Sequence, residues 1–404
     1  MNIGIVTTWY PAGAGYVSKA YEEALSRKHK VFIYARDGQN RKSDAAWDHS
    51  NVTWAPHNYN GTGIWKSHFK KWVKKNNISH VLFNEQRCWY PVVYAKELGL
   101  ICGAYIDYYT QETVPAFAIY DFLICNTKRH YSVFKWHPQC FYIPWGTDTR
   151  QFVSQEPGEK RILTFLASAG WQPNWNGDRR GTLLALEAFS NVTGDCKFEI
   201  YSQVPLEKMT ERWRSALTSD SRIVLKVGTF DPFPYNNADV YVYPSRLDGI
   251  GLTVPEALAS GCAVIATDAA PMNEFVKDGI NGSLVSVNTY IARSDGYYWP
   301  ESYCDMAQLT LAMQRYIDSP DILTLHKKNA RSDAEHFLNW SVNAHELPSI
   351  FDEIKLRKPT HQEISQVVSL DKCERTTSTR QFLKMFSKIP ENIFSCFRNL
   401  LPKS

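Results

Sequence analysis

The sequence predicts an α/β protein made of two successive doubly wound parallel-sheet domains, and three observations lead there. From residue 1 to about residue 150, short β-favouring runs alternate with longer amphipathic ones, the order expected of parallel strands joined by crossover helices. A polar stretch, Gln155–Lys160, interrupts the alternation, which restarts at Arg161. A length of 404 residues, 44% of them hydrophobic and 21% charged, suits two to three domains, each with a sizeable core.

In the first domain, residues 1–150, the expected strands are Ile3–Thr7, Val31–Ala35, His80–Phe83, Ile101–Ile106, Phe122–Cys125 and Phe141–Ile143, with helices such as Val17–Arg27 and Trp65–Lys75 between them. The second, residues 151–338, has expected strands at Ile162–Leu166, Lys197–Tyr201, Ile223–Lys226, Val240–Tyr243 and Ala263–Ala266. Its helices are expected at Thr182–Phe189, Leu252–Ser260, near Tyr303–Ile317 and at Asp321–Phe337. Gly261 stands where a C-cap glycine belongs. A last helix, Val342–Ile354, falls in a segment 339–357, and 358–404 reads as a polar linker followed by a basic amphipathic tail.

The most informative stretch is Val240 to Glu274. A strand closed by Pro244 runs through Asp248-Gly-Ile-Gly-Leu252 into a helix. Such a loop offers backbone N–H groups beside a helix start, a place that favours a phosphate. Asp248 and Glu256, with seven residues between them, flank it; carboxylates there suit sugar hydroxyls, so the pairing points to a molecule carrying both phosphate and sugar. Together with Pro244, Ser245, Gly249, Gly251, Pro255-Glu256-Ala257, Gly261 and Pro271-Met-Asn-Glu274, this run resembles the acid-x7-acid motif of the retaining glycosyltransferases of family 4, the group 1 glycosyltransferases. The resemblance covers roughly residues 1–356 and implies the GT-B fold, two Rossmann-like domains facing a central cleft, with 339–357 crossing back to the first domain. The usual first residue of the motif is Glu; here it is Asp248.

The resemblance implies that Asp248 holds hydroxyls of the donor sugar, Glu256 those of the ribose, and that Gly249, Ile250, Gly251, Leu252 and Thr253 face sugar and diphosphate. Arg180-Gly181 matches the family's Lys-Gly pair, with Arg179 as a second cation for the pyrophosphate, where preorganised charge stabilises a leaving group. Gly13 and Gly15, in Gly13-Ala-Gly15-Tyr-Val-Ser18, form a glycine loop after the first strand. It half-matches the dinucleotide fingerprint, with Asp37 further on, but Ser18 replaces the third glycine, and the family has a glycine loop here facing the donor phosphates. Asp107 stands where many members have a donor-contacting His; an acid there binds hydroxyls or accepts the acceptor's proton. Glu85 points to the same side, and Trp171, Trp175, Tyr105, Tyr108 and Tyr109 are candidates for stacking on sugars.

The implied activity is transfer of a sugar from a nucleotide-diphosphate sugar to a hydroxyl of a glycan or lipid-linked acceptor. The alternatives are a nucleotide-sugar-binding protein without turnover and an NAD-dependent oxidoreductase. No cofactor and no metal are expected, since no His or Cys cluster has ligand spacing. The net charge of +4 is too small by itself to imply nucleic acid, and no nucleic-acid partner is expected. Nine scattered cysteines without a C-x-x-C pair read as reduced cytosolic thiols, and Met1–Thr7 reads as a strand rather than a signal peptide. Two basic amphipathic stretches, Trp65–Lys75 and Arg380–Ser404, fit an anionic membrane surface, which gives a cytoplasmic, peripheral protein at the inner face. A packed helix with a solvated basic face is the other reading of Trp65–Lys75, and docking on the protein's own body or on a partner is the other reading of the tail.

Overall fold

A computed structural model describes residues 1–36, 45–58, 61–153, 162–174 and 177–371. Asp37, Trp175, the stretch Gln155–Lys160 and the tail Arg380–Ser404 lie outside the described residues.

Two all-parallel sheets follow one another. The first holds β1 (Asn2–Thr7), β2 (Lys30–Ala35), β3 (Val52–Trp54), β4 (His80–Phe83), β5 (Ile101–Tyr105), β6 (Phe122–Cys125) and β7 (Cys140–Tyr142), in the order β3-β2-β1-β4-β5-β6-β7. The second holds β8 (Leu163–Gly170), β9 (Cys196–Ser202), β10 (Ile223–Val227), β11 (Val240–Tyr243), β12 (Ala263–Thr267) and β13 (Gly282–Val285), in the order β10-β9-β8-β11-β12-β13. Each order reverses beside its first strand, at β1/β4 and β8/β11, and ligands of such sheets bind at that crevice, outside the carboxyl ends of the strands. The strands are buried on both faces, β4, β6, β11 and β12 throughout, as helices on either side require. Among the described residues, no helix is long and apolar enough to cross a membrane.

Four sequence expectations change. The helix expected from Tyr303 begins at Met306, where Asp305 accepts from the amide of Gln308 at 2.9 Å. The residues before it form β15 (Glu301–Cys304), paired antiparallel with β14 (Val287–Ile291). Val342–Ile354 divides into Trp340–Asn343 and Leu347–Glu353, the second opening on Pro348. Both pieces lie on the first domain: Trp340 Nε1 donates to the Ala20 carbonyl and Phe351 packs against Phe122.

The third change concerns the expected linker. Residues 361–371 are helical, Val367 is buried, and the Asp371 carboxylate accepts from the amides of Trp89 and Tyr90 at 2.8 and 2.6 Å. It thereby caps the helix Tyr90–Glu97. The fourth concerns Lys66–Asn76, the observed bounds of the expected Trp65–Lys75 helix. Phe69, Trp72 and Val73 are core residues and Trp72 packs on Tyr34, so the apolar face is occupied; Trp65 alone of that face is exposed, at 51%. The helix is a packed one with a solvated lysine face, which removes it as a membrane-inserting surface.

Trp72→Ala is therefore expected to destabilise the protein by about 3–5 kcal/mol, whereas Trp65→Ala stays within about 0.5 kcal/mol. Urea unfolding checks this, and equal losses would contradict the assignment of the helix face.

Candidate active site

The acid loop lies between β11 and the helix Thr253–Ala259, at the carboxyl edge of the second sheet. Asp248 is half-buried and receives three donors: Tyr243 O–H at 2.5 Å, the Gly251 amide at 3.0 Å and Arg179 Nη1 at 3.4 Å. Burial pushes its carboxyl up, but the Arg179 charge and the other donors outweigh it and hold the group below the usual aspartate value. The amide of Gly251 is thus spent on Asp248, and Ile250 is buried.

Arg179 and Arg180 reach this loop from the turn before the helix Thr182–Phe189. Gly181 there has φ +69, and a Cβ would stand 2.1 Å from the Pro244 carbonyl oxygen. Only glycine allows the turn to lie so close to the end of β11. Asp178 caps the helix through the Leu183 amide, 3.1 Å. Arg179 Nη1 donates to the Leu247 carbonyl at 2.6 Å, while Arg180 Nη1 donates to Ser168 Oγ at 2.8 Å. The Arg180 charge lowers both Asp248 and Glu256, so it stands within reach of the two acids. Burial pushes Glu256 up to about 7, although Tyr235 O–H donates to it at 2.9 Å.

Glu256 borders a cavity of about 390 Å³ between the domains, lined also by Tyr16, Lys19, Asp148, Asp231 and Phe233. Tyr16 belongs to the helix that opens at Gly13, and its hydroxyl spans the cleft to Asp231 Oδ2 at 2.9 Å. Tyr16 thus lines the same cavity as Leu252 and Glu256. Gly13 is exposed; Gly15 is buried, and a Cβ there would meet the Tyr10 carbonyl oxygen at 2.0 Å. Gly15 thus serves the turn itself.

Asp107 follows β5 in the first domain. Burial and then the charge of Glu85 push its carboxyl up to about 7. Glu85 holds φ +50, the left-handed region that a non-glycine residue seldom occupies. Tyr297 feels both acids: burial raises its hydroxyl to about 12 against the opposing Arg129 charge, and Asp107 and Asp248 both add to the rise. Of the candidate stacking residues, Tyr105 and Tyr109 are core, Tyr108 already stacks on Tyr297 at 5.2 Å, and Trp171 is exposed.

Sequence reasoning missed two devices. The β14–β15 hairpin reaches from the second domain to the segment after β5. Tyr297 O–H donates to the Asp107 carbonyl at 3.2 Å, Tyr108 O–H to the Asp295 carbonyl at 3.1 Å and Trp299 Nε1 to Tyr109 Oη at 2.7 Å. The other device is Lys128-Arg129-His130, at the start of the helix Lys128–Phe134. The amides of Lys128 and Arg129 donate to the Glu274 carboxylate at 2.5 and 2.9 Å. Arg129 donates to the carbonyls of Ala270, at 2.6 Å, and Asp248, and His130 Nε2 lies 3.1 Å from the Gly249 carbonyl. The only sequence signal was the charged run after the strand Phe122–Cys125.

Residues 165–293 match the family described as Glycosyl transferases group 1. Over 96 residues the chain is 38% identical to a lipopolysaccharide core biosynthesis mannosyltransferase, LpcC, of Rhizobium leguminosarum bv. viciae, covering 24% of this chain and 23% of that protein. Over 221 residues it is 24% identical to the MMP alpha-(1->4)-mannosyltransferase of Mycolicibacterium hassiacum, 53% and 48% of the two chains. The chain thus spans less than half the length of these curated relatives. The structure of Anabaena HepE, solved with UDP and glucose, superimposes with a TM-score of 0.68 over 87% of this chain and 99% of that one, at 13% identity. The two domains have the GT-B fold.

Raised from 4.5 to about 7, Glu256 binds its proton more tightly in the folded protein than in the unfolded chain. Its contribution to stability is thus present below the unfolded value and is lost as pH rises through that window. Glu256→Gln, which cannot titrate, is expected to melt like the unsubstituted protein at pH 4 and above it at pH 8. Equal melting temperatures at pH 8 would refute this.

Proposed function

We propose that this chain, with a group 1 glycosyl transferase segment at residues 165–293 in a GT-B frame, is a retaining glycosyltransferase. It moves a sugar from a nucleotide-diphosphate sugar to a hydroxyl of a glycan or lipid-linked acceptor. The observation that carries the reading is the convergence of Arg179 and Arg180 on a loop bearing Asp248, with Glu256 on the adjoining helix. Arg180 and Arg179 meet the diphosphate and stabilise the charge that grows on it as the sugar bond breaks. Glu256 takes the ribose hydroxyls, and Asp248, held ionised, takes those of the transferred sugar. Asp107 lies on the opposite wall, where an acceptor hydroxyl enters. Retention rests on the resemblance of the Asp248–Glu256 spacing, and the acceptor class on the glycan-building activities named for the relatives.

Asp248 also favours a second reading, a binding protein without turnover. Its shorter side chain is already turned towards Tyr243 and Gly251. Transfer activity by the unsubstituted protein that falls in Asp248→Asn excludes that reading; donor binding without transfer supports it.

Nucleotide sugars should raise the melting temperature, and NAD should not. Stabilisation by NAD alone would overturn the main reading in favour of an oxidoreductase. Arg180→Ala is expected to weaken donor binding or turnover by about 2–4 kcal/mol. Arg179→Ala should do less, since its guanidinium is tied to the Leu247 carbonyl. Undiminished transfer in both variants would remove them from the site.

We assign membrane association to the tail. Arg380–Ser404 carries five basic residues and one acid, and each basic group near an anionic surface contributes about 1 kcal/mol. Because residues 361–371 pack on the first domain, the informative truncation ends at Asp371 rather than at Arg357. That chain should keep donor binding and lose co-sedimentation with anionic vesicles at low salt. Equal vesicle binding by both chains would rule the tail out as an anchor.

A further inference from the structure

We infer that Arg129 and His130 are positioning residues for sugar transfer: across the domain boundary, they set the main chain of Asp248 and Gly249 and hence the aim of the Asp248 carboxylate. The inference rests on the glycosyltransferase reading above.

Both side chains belong to the first domain, and both are buried, at 6% and 0% exposure. A guanidinium removed from water needs compensating acceptors. Those that Arg129 finds are main-chain carbonyls of the second domain. Nη1 donates to Ala270, and Nη2 to Asp248 and, at 3.4 Å, to Gly249. The Glu274 carboxylate, beside the Ala270 end of this contact, is fixed by the amides of Lys128 and Arg129. Three consecutive residues of one domain thus hold two separate segments of the other.

His130 reaches the same loop through a directed relay. The Trp299 indole only donates, so Tyr109 Oη accepts from it at 2.7 Å and turns its own proton to His130 Nδ1, 2.9 Å away. The ring then carries its proton on Nε2 and donates to the Gly249 carbonyl at 3.1 Å. Desolvation keeps the ring neutral, as this arrangement requires. The relay starts in the second domain's hairpin, passes through two residues of the first, and ends beside Asp248. Separating the domains breaks both the relay and the Arg129 contacts. The acid loop therefore has its full support only in the closed arrangement, so closure and alignment of the reacting sugar become one event. Arg180 and Glu256, which face the nucleotide, have their own partners within the second domain. Loss of the clamp should therefore affect turnover rather than nucleotide affinity.

The test compares Arg129→Ala, Arg129→Lys, His130→Gln and Tyr109→Phe with the unsubstituted chain. Affinity for UDP and GDP is measured by calorimetry, and turnover by nucleoside diphosphate release from UDP-glucose and GDP-mannose. Arg129→Ala should keep its nucleotide affinity while kcat falls by about 10- to 100-fold, the scale of a misaligned reacting group. Tyr109→Phe should follow in the same direction with a smaller loss. Arg129→Lys keeps a cation, and His130→Gln keeps one acceptor and one donor, so both should recover most of the rate. Undiminished kcat in Arg129→Ala and Tyr109→Phe overturns the inference, and so does a parallel loss of nucleotide affinity or a failure of both conservative variants to recover. If Arg129→Ala does not fold, Tyr109→Phe, which removes a single oxygen, decides. An unsubstituted chain that neither binds UDP or GDP nor turns over a nucleotide sugar overturns the underlying reading, and this inference falls with it.

Discussion

A carboxylate that must stay ionised in a half-buried cleft is the constraint around which the second domain is arranged. Asp248 loses hydration there, and desolvation alone would favour its neutral form. Three donors from three places reverse that preference: a tyrosine at the end of β11, the amide of Gly251 within the loop, and Arg179 from the turn before a neighbouring helix. That last donor is within reach only because Gly181 takes a left-handed conformation against the Pro244 carbonyl. A side chain at 181 would push the arginines away from the acid, so one missing Cβ and one ionised carboxylate are parts of the same arrangement.

Glu256, one turn into the following helix, has the opposite balance. It is near Arg180 too, but burial dominates and its carboxyl is pushed up. Two acids eight positions apart thus have different electrostatic characters, one set to remain charged and the other to share protons near neutrality. A difference of this kind separates roles within a single site. Asp107 resembles Glu256 in this respect, since burial and Glu85 raise it, and the charges of both Asp107 and Asp248 act on Tyr297.

The interface is polar and specific. Its contacts run from the Lys128–His130 segment to the acid loop and to Glu274, and from the β14–β15 hairpin to the residues after β5. The crossing residues Trp340 and Phe351 add apolar packing on the far side. Main-chain carbonyls are the main acceptors on the second-domain side, so the contacts report the path of the backbone rather than particular side chains.

Strand positions were legible in the sequence because β-favouring runs between helical periodicities are a local property. His80–Phe83, Phe122–Cys125 and Val240–Tyr243 lie where the residue pattern puts them. The hairpin was not legible, since Glu301–Cys304 merges into the helical pattern after it and half of its partners are on another domain. The helix over 361–371 was hidden by polar composition: its one fully buried apolar contact, Val367, and its cap to Trp89 exist only against the folded first domain. Likewise, the face of Lys66–Asn76 has the same pattern whether it meets lipid or a protein core, and only packing on Tyr34 decides.

By itself, then, the sequence determined two doubly wound sheets and an acid-bearing glycine loop between a strand and a helix, because strand periodicity, glycine placement and residue spacing act over a few turns of chain; that the Arg179-Arg180 pair belongs beside this loop came from the family resemblance. Tertiary structure alone decided which groups are ionised and what holds the loop in place. Ionisation depends on burial and on neighbours brought from other elements, and the Arg129–Asp248 and Trp299–Tyr109 contacts join residues 119 and 190 positions apart. No local pattern encodes such a contact, because it forms only when two independently folded sheets meet.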